Sequence, residues 1–216
     1  MNHYSYLDGT HKLSVIVLHG MYSNYQEMNY LKKLKDIKFI FIDSKQMTID
    51  WPQGRELNVK SWYNYYTNFS GLYKYDKIDL NDLKDVSQYV EDLINQEFQL
   101  LRNYSKIILL GSSQGGTVAI HVALNTPFEL GGVILLRSLL LNYTKVSSKN
   151  EMTVYLFCAG EDNVYIPKLY KKSFRRLINK IKIVKYLDKY LDHTTKSNNQ
   201  EKFVLTVLKS LRNKVN

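Results

Sequence analysis

A single cysteine, Cys158, in a chain of 216 residues excludes an internal disulfide, so this protein is held together by a buried core and not by cross-links. No apolar run approaches the ~20 residues that cross a bilayer; the longest lie around Lys106–Leu110 and Gly132–Leu136. The opening Met1-Asn2-His3-Tyr4-Ser5-Tyr6 lacks the basic region and apolar stretch of a secretory signal. Asn2 stands where N-myristoylation needs Gly, and the end, Asn213-Lys214-Val215-Asn216, lacks the Cys that prenylation needs. No repeat, low-complexity segment or linker divides the chain. With 44% hydrophobic residues it is too apolar for intrinsic disorder, and its length suffices to bury about 70% of the unfolded surface. The expectation is one soluble, cytoplasmic domain spanning 1–216.

Negative charge is scarce in the second half. Through Leu110 there are 13 basic and 13 acidic residues, and after it 17 basic and 7 acidic, so the whole net charge of +10 lies there. It peaks at Lys168, Lys171, Lys172, Arg175, Arg176, Lys180, Lys182, Lys185 and Lys189. Such a run suits contact with an anionic membrane surface, or is a solvated helix and strand. The lack of an aromatic-interleaved or zinc-spaced motif argues against nucleic acid.

What is present is an alternation of strand and helix. Lys12–Leu18, Ile37–Ile42, Lys106–Leu110, Gly132–Leu136, Met152–Cys158 and Ile181–Tyr186 are short apolar runs that read as buried strands. Helical spacing marks Gln26–Leu34, a long stripe from Leu80 to Leu101 behind Asp79 or Asn81 as N-cap, Gln114–Leu124, Pro167–Asn179 and a last segment around Phe203–Leu211. The pattern predicts an α/β fold with a mostly parallel sheet covered on both faces. Residues 44–75, with Trp51, Trp62 and many tyrosines but no clean period, read as a long excursion, and excursions of that length are usually functional.

Gly111-Ser112-Ser113-Gln114-Gly115 follows a predicted strand and opens a predicted helix. This is Gly-x-Ser-x-Gly in the context that makes it meaningful: a sharp turn that holds Ser113 out as a nucleophile. A base must follow in the chain, and only His121 and His193 do. His121 lies mid-helix and reads as structural, so His193, on the loop before the last helix, is the candidate base. His19-Gly20-Met21 ends the first core strand, where the Met21 amide, with that of Gln114, suits an oxyanion. His19 reads as a buttress of that loop, and Cys158 as a small buried hydrophobe. There is no His, Cys and carboxylate set at metal spacing and no glycine-rich phosphate loop, so no cofactor is implied.

These pieces, taken in order, resemble the acyl-protein thioesterase and lysophospholipase group of small α/β-hydrolases, the phospholipase/carboxylesterase family. The matching segments are Val17-Leu18-His19-Gly20, Ser61-Trp62-Tyr63, Gly111–Gly116, Gly131-Gly132-Val133, Cys158–Asp162 with Ile166-Pro167, and His193-Thr194-Thr195. The resemblance implies an α/β-hydrolase fold, Ser113 and His193 as triad members, Met21 and Gln114 as oxyanion donors, and Trp62 beside the acyl site. It implies a serine hydrolase that cleaves acyl esters or thioesters of proteins or lipids, or small soluble esters.

Three departures stand out. The family motif around the acid puts Asn163 at the acid's position, with Asp162 one residue early. Asparagine holds an imidazole but does not stabilise an imidazolium, and such a change in another enzyme's triad costs about four orders of magnitude in turnover. Asp162 is therefore expected as the acid, with Asn163 the alternative and a weakly active or non-catalytic binding protein as its consequence. Asn64 replaces an Asp after Trp62-Tyr63, and no Gly precedes His193.

Overall fold

The computed structural model describes residues 1–69, 74–146 and 152–215. Among the described residues nine strands and four α-helices follow one another from the N-terminus: β1 (Asn2–Leu7), β2 (Leu13–Leu18), β3 (Ile37–Asp43), β4 (Lys45–Trp51), β5 (Gly54–Ser61), α1 (Leu80–Leu101), β6 (Ile107–Ser112), α2 (Gln114–Asn125), β7 (Gly132–Leu136), β8 (Thr153–Ala159), α3 (Pro167–Phe174), β9 (Lys182–Asp188) and α4 (Asn198–Lys214). Seven strands form one sheet in the order β1-β3-β2-β6-β7-β8-β9, all parallel except β1. This is the α/β-hydrolase architecture.

The central strands are apolar on both faces because both faces are covered. All six residues of β2 are buried. Ile16 and Leu18 pack under the α1–α2–α3 layer, while Leu13, Val15 and Val17 pack under α4. On α1 the buried stripe Leu83, Val86, Val90, Leu93 and Ile94 meets the sheet. Asp79 caps the helix by accepting from the amides of Asn81 and Asp82, and Arg102 ends it in the left-handed conformation. Truncating one such core leucine or isoleucine to Ala costs about 2–5 kcal/mol.

Several elements differ from expectation. Residues Tyr25–Lys33 are a 3-10 helix, which extends only to residues with short i to i+3 contacts. The helix after Pro167 is α only to Phe174 and continues as one 3-10 turn, Arg175–Leu177. β1 was not apparent in the sequence because it is an exposed antiparallel edge strand carrying His, Tyr and Ser. The excursion is also more regular than its composition suggests, with β4 and β5 forming a separate antiparallel hairpin. Its pairing shifts between Met47 and Ile49, and this bulge scrambles the two-residue period. Residues 70–73 of the excursion lie outside the described residues.

The C-terminal ends of β2, β6, β7, β8 and β9 lie along one edge of the layered core. The chain passes from β2 to β3 on one side and, after β4, β5 and α1, returns to β6 on the other, so the strand order reverses at β2, the position at which open α/β sheets form a crevice.

Candidate active site

The turn from β6 into α2 is fixed by glycine. A Cβ on Gly111 would lie 2.4 Å from the Gly115 carbonyl oxygen, and one on Gly115 would lie 2.3 Å from that of His19. Only bare backbone lets strand, helix and the loop after β2 meet so closely. Ser113 at the apex has φ 50° and ψ −120°, a sparsely populated conformation for a residue with a side chain. Its amide donates to the Leu136 carbonyl at 2.8 Å, and Ser138 Oγ donates to its carbonyl at 3.0 Å.

Ser113 Oγ lies 2.7 Å from His193 Nε2. His193 Nδ1 lies 2.9 Å from both carboxylate oxygens of Asp162. A carboxylate can only accept, so Nδ1 carries the proton and Nε2 presents its lone pair to the Ser113 hydroxyl. Asp162 is buried and Asn163 is exposed. Asp162 Oδ1 also accepts from the amides of Val164 at 3.0 Å and Tyr165 at 2.7 Å. This tight turn absorbs the one-residue offset: the carboxylate lies under the imidazole and the Asn163 side chain points away from the buried site.

The loop carrying His193 is held without the family's glycine. Asp192 accepts from the amides of Thr194 at 2.8 Å and Thr195 at 2.6 Å. From the end of β7, Arg137 Nη1 donates to the carbonyls of His193 at 2.5 Å and Thr195 at 3.0 Å. Burial lowers the Arg137 pKa, opposed by Asp162 and Asp192 nearby. Nothing in the local sequence marks Arg137, whose role depends on a fold that brings β7 beside a loop 56 residues later.

On the opposite side lies the His19-Gly20-Met21 loop. The Ser44 amide donates to His19 Nε2 at 3.1 Å, so the ring proton sits on Nδ1, which donates to the Gly20 carbonyl at 2.7 Å. Burial lowers the His19 pKa and keeps the ring neutral. Trp62 is buried too, its indole 4.9 Å from the His19 ring and its Nε1 donating to the His19 carbonyl at 2.7 Å. The indole N–H thus serves the loop and is not free for a substrate. Gln114 supplies more than its amide. Its buried side chain accepts from the Trp62 amide at 3.0 Å and donates to Ser61 Oγ at 2.9 Å and the Tyr63 carbonyl at 3.2 Å, tying the excursion to the elbow. As the first residue of α2, Gln114 has an amide with no acceptor within its own helix. Gly20 is the near neighbour across the gap: a Cβ there would lie 3.5 Å from that of Ser113.

Asn64 accepts from the amides of Asp50 at 3.0 Å and Tyr65 at 2.8 Å, and its side-chain N–H donates to the Asp50 carboxylate at 3.0 Å. An aspartate there would face that carboxylate, which explains the departure at this position. His121, the other downstream histidine, bonds Thr144 Oγ1 at 3.0 Å, and burial lowers its pKa to about 4. It takes no part in the Ser113–His193 cluster.

Beside His193 the Tyr165 ring stands edge-on at 5.2 Å. It forms one wall of a narrow cleft, partly open to solvent and with a cavity volume of about 20 Å³, shared with Tyr63, Tyr65, Ile78, Leu139 and Leu169. The Tyr63 hydroxyl lies 2.8 Å from Thr117 Oγ1 on α2, and burial pushes its pKa up to about 12. Among the described residues no group of three or more His, Cys, Asp or Glu is arranged to hold a metal ion.

Residues 7–213 match the sequence model of the phospholipase/carboxylesterase family. The chain belongs to that family. Among curated proteins it is 25% identical over 203 residues to acyl-protein thioesterase 1 of Schizosaccharomyces pombe, covering 90% of this chain and 88% of that one. Among solved structures, Zea mays acyl-protein thioesterase 2 superposes with a TM-score of 0.74 at 16% identity, over 98% of this chain and 99% of that one. The Bacillus cereus carboxylesterase superposes with a TM-score of 0.75 at 12% identity, over 100% of this chain and 95% of that one. At those identities the structures speak for the shared fold. Family membership makes this protein an ester hydrolase of the serine-hydrolase type found among acyl-protein thioesterases and carboxylesterases.

Proposed function

We propose that Ser113, His193 and Asp162 form a catalytic triad that hydrolyses acyl esters or thioesters through a covalent acyl-enzyme. Ser113 Oγ attacks the carbonyl carbon while His193 Nε2 takes its proton, and Asp162 stabilises the imidazolium. The amides of Met21 and Gln114 stabilise the oxyanion, with the positive end of α2 directed at it. His193 then returns the proton to the departing alcohol or thiol. Water, deprotonated by the same imidazole, attacks the acyl-enzyme and releases the acid and free Ser113. The observation that carries this reading is the unbroken line Ser113 Oγ, His193, Asp162, with contacts of 2.7 and 2.9 Å. Trp62 contributes to substrate binding through the loop that it braces, and the cleft behind Tyr165 receives the acyl group.

The substrates are acylated proteins or lipid esters, met in the cytoplasm at anionic membrane surfaces. The single Cys158 suits that reducing compartment. A second reading, a carboxylesterase for small soluble esters, is favoured by the five tyrosines in the cleft wall, Tyr63, Tyr65, Tyr75, Tyr143 and Tyr165. Steady-state hydrolysis of matched oxygen esters and thioesters of rising chain length distinguishes the two. A kcat/KM that rises with chain length supports the lipidated substrate, one that falls supports the small ester, and no Ser113-dependent turnover of any of them overturns both.

A further inference from the structure

Between Asn163 and Asp188 the chain has no acidic residue and eight Lys and Arg residues. One of them, Arg176, is internally engaged by the carbonyls of Leu141 and Thr144. Lys168, Lys171 and Lys172 on α3, Arg175 just after it, and Lys182 and Lys185 on β9 are all exposed. No ion pair among the described residues uses any of these six. Lys185 lies on the α3 side of β9, with the α3 cations, whereas Lys182, three residues earlier on the strand, lies on the opposite face. Lys185 Nζ sits 5.3 Å from the centre of the Tyr170 ring on α3. Burial pushes the Cys158 thiol up to about 11, and Lys185 and Lys171 both act against that from the same neighbourhood.

Large apolar side chains stand exposed within this charge. Leu187, on the same face of β9 as Lys185, is 42% exposed, Ile178 is 57% exposed and Tyr190 is 83% exposed. Water-facing lysines alone need no explanation. A cationic surface with exposed leucine, isoleucine and tyrosine has the composition of a surface that lies in the membrane interface, with ammonium groups at anionic headgroups and apolar tips below them.

We propose that the α3–β9 surface docks this protein onto an anionic lipid bilayer. This deepens the reading of the site as a hydrolase of lipidated substrates, on which its biological purpose rests. Two boundaries connect the surface to the site: α3 begins two residues after Tyr165, which stands edge-on to His193, and β9 runs into the loop that carries His193. Docking by this surface therefore brings the cleft to the bilayer. A nucleic-acid duplex would engage the cations and leave Ile178 and Leu187 in water. A second copy on a two-fold axis would set lysines against lysines.

The test is co-sedimentation of the full chain with phosphatidylcholine vesicles and with vesicles in which about a third of the lipid is phosphatidylserine. Ser113→Ala is run alongside to separate binding from turnover. Binding is expected to phosphatidylserine vesicles only, equally for wild type and Ser113→Ala, and to weaken as salt shortens the ~10 Å screening length. The triple variant Lys168→Gln, Lys171→Gln, Lys172→Gln is expected to lose at least about tenfold in affinity. Its hydrolysis of a water-soluble ester stays at the wild-type rate. Leu187→Ser is expected to bind severalfold more weakly with an unchanged salt slope. Equal binding to both vesicle types, undiminished binding by the triple variant, or retention on duplex DNA without vesicle binding overturns the proposal. Loss of ester hydrolysis by wild type with vesicle binding intact would instead overturn the catalytic reading alone.

Discussion

Among the described residues, a serine, a histidine and a carboxylate meet side chain to side chain at each end of the strands, and the two clusters are wired differently. At the C-terminal ends, His193 lies between Ser113 and Asp162. At the N-terminal ends, Ser14 of β2 lies between His11 and Glu97: Ser14 Oγ donates to Glu97 Oε2 at 2.6 Å and lies 2.6 Å from His11 Nε2. A serine has one proton, and this one goes to the carboxylate, so His11 Nε2 must donate to Ser14 and cannot act as its base. Lys38 completes the second cluster with a 2.6 Å bond to Glu97 Oε1. Ser14 is fully buried, and it lies within strand β2 and not at a helix N-terminus. On the proposed reading, the same residue types make a nucleophile when the imidazole is central, and a structural tie between β2, β3 and α1 when the serine is.

The sharpest break in that comparison is Asp162→Asn. It removes the charge but keeps the shape, and kcat is expected to fall by about four orders of magnitude, while Ser14→Ala leaves kcat per folded molecule unchanged. The matching change in the other cluster, Glu97→Gln, is expected to leave turnover intact and to cost about 3 kcal/mol in urea unfolding, because Lys38 loses its buried partner. Burial works against the Glu97 charge, but hydrogen bonds from His11, Lys38 and Ser14 outweigh it and hold its pKa at about 2 against an ordinary 4.5. Because the folded value is depressed, the stabilisation is fully present above pH 4.5 and is lost as pH falls towards 2. Unfolding midpoints measured across that range should show an acid limb that Glu97→Gln flattens.

Arg137→Ala is a milder challenge to the catalytic cluster. Loosening the His193 loop is expected to lower kcat by about 10- to 100-fold with KM little changed, and Arg137→Lys should recover part of it. An unchanged kcat in the Ala variant would mean that Asp192 alone positions the loop. The smallest effect is expected at Asn163: its exposed side chain can become Ala with less than about a twofold change in kcat/KM, as for surface substitutions generally.

The features legible in the sequence are those enforced locally. Gly111, Ser113 and Gly115 declare a strained turn because no other residues fit it, and the β2, β6 and β7 runs declare buried strands because both their faces are apolar. Asp162 is only half legible. Residue spacing favours Asn163, and the preference for Asp162 comes from chemistry, since the turn through Val164 and Tyr165 that brings its carboxylate under His193 exists only in three dimensions. Arg137, Tyr165 and the Gln114 side chain leave no local signature. Their partners lie 56, 28 and about 52 residues away and are set by sheet order. The β4–β5 hairpin is hidden for a different reason: its bulge removes the alternation by which a strand is read.

The most direct measurement is the rate at which a fluorophosphonate labels the protein, with the modified residue mapped by mass spectrometry, in wild type, Ser113→Ala, Ser14→Ala, Asp162→Ala and Asn163→Ala. The expected result is a single adduct on Ser113, formed at the wild-type rate in Ser14→Ala and Asn163→Ala, slowed strongly in Asp162→Ala and absent in Ser113→Ala. Labelling that survives in Asp162→Ala but collapses in Asn163→Ala, or a well-folded wild type that does not label, would contradict the assignment of Ser113, His193 and Asp162 as one catalytic unit.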